Sequence, residues 1–212
     1  MGNICHAMGL RERKKEQTRR AIEDAAFRLF EERGYAATTV ADIADAADIA
    51  PRTFFAYFPS KEAVVFGDFD ASFGTLAARL REREEGETTF EALRAWIGDL
   101  IDAERDQDGR EAVRHQLICD NEAVASHQRN IMGRFEQLVA ENVAVDLGDE
   151  PGDLQPKLVA AAAVAALMAM QPDDKSEHKK SVDAEGLAQL DDAFAFLRGG
   201  IAALQERRAA LG

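Results

Sequence analysis

Between Gly34 and Pro59 the chain is punctuated so tightly that only two short helices fit. Thr39, with Asp42 three residues on, is a capping pair for a helix carrying Ile43, Ala44 and Ala47. Pro51 suits a first helical position, and Pro59 disfavours helix at the residue before it. A short helix, a tight turn and a second short helix make a helix-turn-helix. Upstream, Ala21, Ile22, Ala25, Ala26, Leu29 and Phe30 recur at three- and four-residue steps, with Gly34 as a stop. The spacing thus predicts a long helix over 14–33, then a short pair ending at Phe58.

The same period persists downstream. Ser60 caps a helix starting at Lys61 that carries Ala63, Val64, Phe66, Phe69, Phe73, Leu76 and Leu80 and breaks at the charged linker 82–89. Amphipathic helices fit 90–104, 110–120 and 122–146, with a turn at 106–109 and a loop at 147–156. Residues 157–170 are apolar nearly all round, 171–180 are polar, and 183–209 carry Leu190, Phe194, Leu197 and Ile201 at helical steps. Strand-like alternation is missing. The expected fold is all-α, about nine helices: a flexible basic arm over 1–13, a helix-turn-helix domain over 14–60 and a C-terminal helical domain over 61–212.

An apolar content of 46% with 31% charged residues belongs to a soluble globular chain rather than a disordered one. The longest apolar run, 158–170, is too short to span a membrane, so no membrane partner is expected. Cys5 and Cys119 are too few for a disulfide framework and read as reduced thiols in the cytoplasm. "MGNICH" resembles a myristoylation start but has His6 where Ser or Thr is wanted, and Met8 is an alternative start.

Net charge is −13 and unevenly spread. Residues 1–20 hold Arg11, Arg13, Lys14, Lys15, Arg19 and Arg20 against Glu12 and Glu16, whereas all of the net negative charge falls beyond residue 66. An acidic body behind a basic tip suits a protein that offers only its tip to a polyanion; an acidic surface with an unspecialised basic tail has the same composition.

On a helix over 51–58, Phe54 and Phe58 share one face. Pro51, Arg52, Thr53, Phe55, Ala56 and Tyr57 fill the remaining arc, which holds no acid. Such a face fits the DNA major groove, where arginine bonds guanine and apolar groups meet the thymine methyl. Thr39 at a helix N-terminus suits a phosphate, and Lys61 with the basic arm would add salt-dependent backbone affinity. Three small helices packed as an ordinary bundle is the competing reading.

"TTVADIADAADIAPRTFFAYFPSKEAVV" (38–65) resembles the N-terminal signature of the TetR family of transcriptional regulators, and "RRAIEDAAFRLFEERGYAATTV" upstream fits it too. The likeness spans about residues 12–66. It implies phosphate contacts from Thr39 and Thr38, and Pro51, Arg52 and Thr53 at the N-terminal end of a recognition helix. It also implies DNA contacts from Phe55 and Tyr57 and a phosphate contact from Lys61. Two departures stand out. Phe55 replaces the usual tyrosine, and Asp48 replaces the turn glycine; aspartate tolerates the left-handed conformation, but its charge opposes DNA. "TFFAYFPSKEAVVFGDFD" most resembles regulators of the mycofactocin type, some linked to acyl-CoA ligands.

The resemblance further implies a homodimer through the last two helices (about 157–170 and 183–209). It implies a ligand-responsive repressor on a palindromic double-stranded operator, released by a small-molecule effector of apolar or acyl-CoA-like character. Candidate pocket residues are Phe90, Trp96, His115, Cys119, Ile131, Phe135 and Met168, each of which also fits plain core. His115 and Cys119 lack a third metal ligand, so neither metal nor cofactor is expected. No phosphate loop, HExxH or nucleophile motif suggests an enzyme. The other reading is a helical small-molecule-binding or interaction protein that does not act through DNA.

Overall fold

The computed structural model describes residues 9–67, 69–104, 110–169 and 184–210. Ten helices and no strand lie among them: α1 (Leu10–Arg33), α2 (Val40–Ala46), α3 (Pro51–Phe54), α4 (Lys61–Val65), α5 (Phe69–Arg81), α6 (Thr89–Glu104), α7 (Arg110–Asp120), α8 (Glu122–Leu147), α9 (Leu154–Ala169) and α10 (Ala184–Ala209). The expected turn at 106–109 and polar loop at 171–180 lie outside the described residues, as do Cys5 and His6.

Four boundaries differ from those expected, each for a local reason. Helix α1 starts at Leu10 instead of 14, because Gly9 serves as its N-cap and Glu12 returns a hydrogen bond to the Gly9 N–H at 2.9 Å. Helix α3 keeps α-helical form only to Phe54; the Ala56 and Tyr57 amides then bond three residues back, to Thr53 and Phe54, in a tighter turn. The single helix expected from Lys61 is two, α4 and α5, split at Gly67 with φ +61°. Helix α9 begins at Leu154 instead of 157, with Pro156 in its first turn, where no backbone donor is needed.

The chain forms two compact units. The first takes the described residues up to Gly67 together with those from 110 to His127. Its core joins Ile22, Ala26, Phe27, Leu29 and Phe30 of α1 to Ile43, Phe54, Phe58, Val64 and Val65, and is completed by Leu117 and Val124. Helix α7, expected in the C-terminal domain, thus packs with the helix-turn-helix. Arg110 pairs with Glu23 and Asp24 of α1, and Arg114 Nε donates to the Val65 carbonyl at 2.7 Å. Burial pushes the Glu23 carboxyl up despite Arg110 beside it.

The second unit takes the remaining described residues. Leu76, Leu80, Phe90, Leu93, Val139, Val143, Ala160, Ala163, Leu190 and Phe194 form its core. Arg83 Nη1 donates to Asp146 Oδ1 at 2.6 Å and to Thr89 Oγ1 at 2.9 Å, while Asp146 Oδ2 accepts the Thr89 amide. This half-buried network ties the α5–α6 turn to the end of α8. Helix α9 packs on α10.

Candidate nucleic-acid interface

The interface is built from the α1–α2 loop upward. Gly34 closes α1 with φ +80°, and its amide donates to the Phe30 carbonyl. Tyr35 turns inward, packs on Phe30 with the rings tilted, and donates its hydroxyl to Glu62 Oε1 at 2.6 Å. The Lys61 ammonium lies 4.0 Å from the centre of the Tyr35 ring and donates to the carbonyls of Tyr35 (2.8 Å) and Thr38 (2.9 Å). Burial and the hydrogen bond to Glu62 raise the Tyr35 phenol above its ordinary range. Burial also acts to raise Glu62, but its hydrogen bonds and the Lys61 charge outweigh this and hold its carboxyl low.

Helix α2 follows directly. Thr39 Oγ1 accepts the Asp42 amide at 3.1 Å, and Asp42 Oδ2 accepts the Thr39 amide at 2.9 Å and its hydroxyl at 2.5 Å, a complete capping box. The hydrogen bonds from Thr39 hold the Asp42 carboxyl low, and Arg33 stands 3.9 Å away. The helix ends in a Schellman turn: the Asp48 amide bonds the Asp45 carbonyl, the Ile49 amide bonds the Ala44 carbonyl, and Asp48 takes φ +54°. The left-handed position expected at Asp48 is the one observed.

Pro51 opens α3 at its first helical position. Phe54 and Phe58 are buried at 0% and 1% exposure, whereas Phe55 is 57% exposed. Pro51 and Arg52 are exposed; Thr53 and Tyr57 are half-buried, Tyr57 lying against the core. Among the described residues Arg52 makes no ion pair. Arg19 of α1 lies over the Phe58 ring at 4.8 Å and closes the far end of the segment.

Two residues sit differently from the sequence reading. Thr38 is 1% exposed, and its hydroxyl donates to the carbonyls of Gly34 (2.9 Å) and Leu29 (3.3 Å), so it braces the loop from within. The Lys61 ammonium is spent on loop carbonyls rather than reaching outward. Sequence reasoning missed the Tyr35–Glu62 bond and the Arg19–Phe58 contact. The one sequence signal for the first is the aromatic three residues before Thr38.

The candidate pocket residues are divided between the two units. Phe90 and Phe135 are buried in the second core, with Phe90 on Phe194 at 5.0 Å, and Ile131 is 5% exposed. Trp96 donates to Thr75 Oγ1 at 2.9 Å, and Met168 faces outward on α9. His115 and Cys119 belong to the other unit, their Nε2 and Sγ 3.6 Å apart. An open groove of about 470 Å³ is lined instead by Glu136, Gln137, Ala140 and Glu141 of α8 with Pro151 and Lys157. Among the described residues no three His, Cys, Asp or Glu side chains cluster as metal ligands, and no helix is long and apolar enough to cross a membrane.

Two family models match the chain: bacterial regulatory proteins of the tetR family over residues 22–66, and the MftR C-terminal domain over 87–202. The transcriptional regulator TcmR of Streptomyces glaucescens is 33% identical over 163 residues, covering 72% of this chain and 71% of its own. The putative mycofactocin biosynthesis regulator MftR of Mycobacterium tuberculosis is 29% identical, covering 70% and 75%. Among solved structures, the repressor FadR of Thermus thermophilus in complex with lauroyl-CoA superposes with a TM-score of 0.50 at 21% identity, over 84% of this chain and 92% of that one. NalD, a repressor of a multidrug efflux pump in Pseudomonas aeruginosa, gives 0.53 at 19%, over 85% and 96%. At these identities the structures speak for the fold alone.

Proposed function

This chain belongs to the TetR family of DNA-binding transcriptional regulators, and we propose that it is a repressor that grips a two-fold related operator as a homodimer and lets go when a small molecule binds. The observation that carries the DNA-facing part is the split of one aromatic cluster. Phe54 and Phe58 anchor α3 in the core, which leaves Phe55, Arg52 and Pro51 in solvent on a face without an acid. Arg52 is suited to a guanine edge and Phe55 to a thymine methyl. Thr53, Tyr57 and the capped start of α2 at Thr39 border that face, and Lys61 acts by holding the loop that positions α2.

The dimer reading rests on an uncovered apolar face. Leu154, Leu158 and Met168 of α9 and Phe196 of α10 are exposed, with Phe196 at 81%. Exposed large apolar side chains on two helices that pack together mark an interaction site, and a two-fold partner would present the same residues. The effector class is apolar or acyl-CoA-like, supported by the match to the MftR C-terminal domain. The site of action is the cytoplasm, where operator DNA lies.

The test is a gel shift with duplexes that the protein selects from a random pool. A two-fold related sequence should emerge, Arg52→Ala should weaken it tenfold or more, and Phe55→Ala should relax preference at one base pair of each half-site. Selection of no duplex at low salt, or indifference to Arg52→Ala, refutes the reading.

A further inference from the structure

The chain has only four histidines and two cysteines, yet it brings one of each together. On α7 the Nε2 of His115 and the Sγ of Cys119 lie 3.6 Å apart, within hydrogen-bonding reach for the larger sulfur atom. Their i, i+4 spacing puts both on one face of the helix. Neither belongs to the recognition face or to the core of the second unit.

The pair is held in place and reached by solvent. Leu117, between the two in sequence, is buried in the core of the first unit, and Val113 and Ile118 pack against that core. Asn121 closes the last turn of α7: its backbone and side-chain amides both donate to the Leu117 carbonyl, at 3.1 and 3.0 Å. Cys119 is exposed and His115 is half-buried. A structural thiol is inert because it is buried. This one meets solvent on one side and an imidazole on the other. Among the described residues no third ligand joins the two as a metal site, and no second thiol is present.

We propose that Cys119 is a covalent modification site for small electrophiles of the α,β-unsaturated carbonyl class, with His115 as the proton acceptor. In the tautomer that carries its proton on Nδ1, His115 offers the Nε2 lone pair to the thiol. The S–H proton passes to Nε2, Sγ bonds to the β-carbon, and the C=C electron pair moves toward the carbonyl oxygen as an enolate. The imidazolium then returns its proton through solvent to the α-carbon. An S–H and a C=C are consumed, a C–S and a C–H are formed, and His115 is restored, so neither oxidant nor reductant is needed. A carbon electrophile fits better than a peroxide, because a sulfenic acid here has no second thiol among the described residues to resolve it. The adduct forms in the unit that carries Arg52 and Phe55, two residues from buried Leu117. The assignment stands apart from the regulator reading and goes beyond it.

The experiment treats the full chain with N-ethylmaleimide at neutral pH, quenches at intervals and follows the peptides holding Cys119 and Cys5 by mass spectrometry. Cys5, the other thiol of the chain, is the reference within the same molecule. Cys119 should react roughly tenfold faster than Cys5, a modest share of what a positioned base can supply. His115→Gln should bring the Cys119 rate down by about the same factor and leave the Cys5 rate unchanged, with helical circular dichroism as in the wild type. Equal rates at the two cysteines of the wild type overturn the proposal, and so does a Cys119 rate that His115→Gln does not move. The wild-type ratio needs no variant, so it remains decisive even where His115→Gln disturbs the fold.

Discussion

The ammonium of Lys61 donates to the carbonyl of Thr38 at 2.9 Å, across 23 residues of sequence, and so fixes where α2 begins. The second bond, to the Tyr35 carbonyl, and the Tyr35 ring beneath make this a three-point hold on the loop. Lys61→Met keeps the aliphatic stem and removes the charge. It should lower unfolding stability by about 1.5–3 kcal/mol, the usual worth of hydrogen bonds to a charged group, seen as an earlier denaturant midpoint. The salt slope of DNA binding should change little. A variant that is fully stable but loses about one unit of slope would mean that Lys61 binds a phosphate instead.

The Tyr35–Glu62 hydrogen bond, 2.6 Å long and partly buried, predicts the shape of the stability profile. Glu62 is held below its ordinary value, so its contribution is present above the unfolded carboxyl range and is lost as pH falls through the lower folded value. Tyr35 is raised, so its contribution is complete below about pH 10, the ordinary phenol value, and is lost as pH rises toward the folded value. Denaturant midpoints against pH should be flat near neutrality and fall on both sides. Tyr35→Phe should remove this pair's share of the alkaline fall and shrink its acid fall, because Glu62 loses a bond that holds its carboxyl low. An unchanged profile in the variant would show that the bond carries no linkage.

Asp48 occupies a left-handed turn position that glycine fills without strain. Asp48→Gly exchanges a strained side chain for a freer backbone, and the balance should favour the variant by up to about 1 kcal/mol. Asp48→Asn keeps the tolerance for φ +54° and removes only the charge. Its DNA affinity should rise at low salt and converge on the wild type at high salt. Equal affinity at all salt concentrations would place the Asp48 carboxylate away from the phosphates.

The helix-turn-helix was legible because its signals are local. Thr39 and Asp42 announce a cap, Pro51 and Pro59 bracket the recognition segment, and angular spacing alone sends Phe54 and Phe58 inward and Phe55 outward. What the sequence hid depends on distant partners. Thr38 and Thr39 are identical residue types, and only the Gly34 and Leu29 carbonyls beneath Thr38 decide that it faces in. Lys61 looks like a phosphate ligand until the loop 35–38 folds under it. The split of α4 from α5 follows from Gly67, a residue that also occurs inside uninterrupted helices such as α8. For the effector site the difficulty is deeper. Phe90, Ile131 and Phe135 sit at apolar helical positions whether a core or a cavity surrounds them, so periodicity cannot separate the two.

Phe196 is the sharpest handle on assembly. It is 81% exposed on α10, while Phe194, two residues away, is buried on Phe90. The two point to opposite sides of one helix, so Phe196 can be changed without disturbing the core. Burying a phenylalanine fully against a partner is worth about 1.5–3 kcal/mol, and a two-fold interface counts each substitution twice. Phe196→Ser should therefore weaken the dimer by about 3–6 kcal/mol, or roughly a hundredfold to ten-thousandfold in dissociation constant. Light scattering across a dilution series should show the wild type as a dimer and the variant as a monomer at micromolar concentration, with the same helical content. DNA affinity should fall with it, because two recognition segments would no longer bind as one unit. A variant that remains dimeric at all concentrations would move the interface away from this face of α9 and α10.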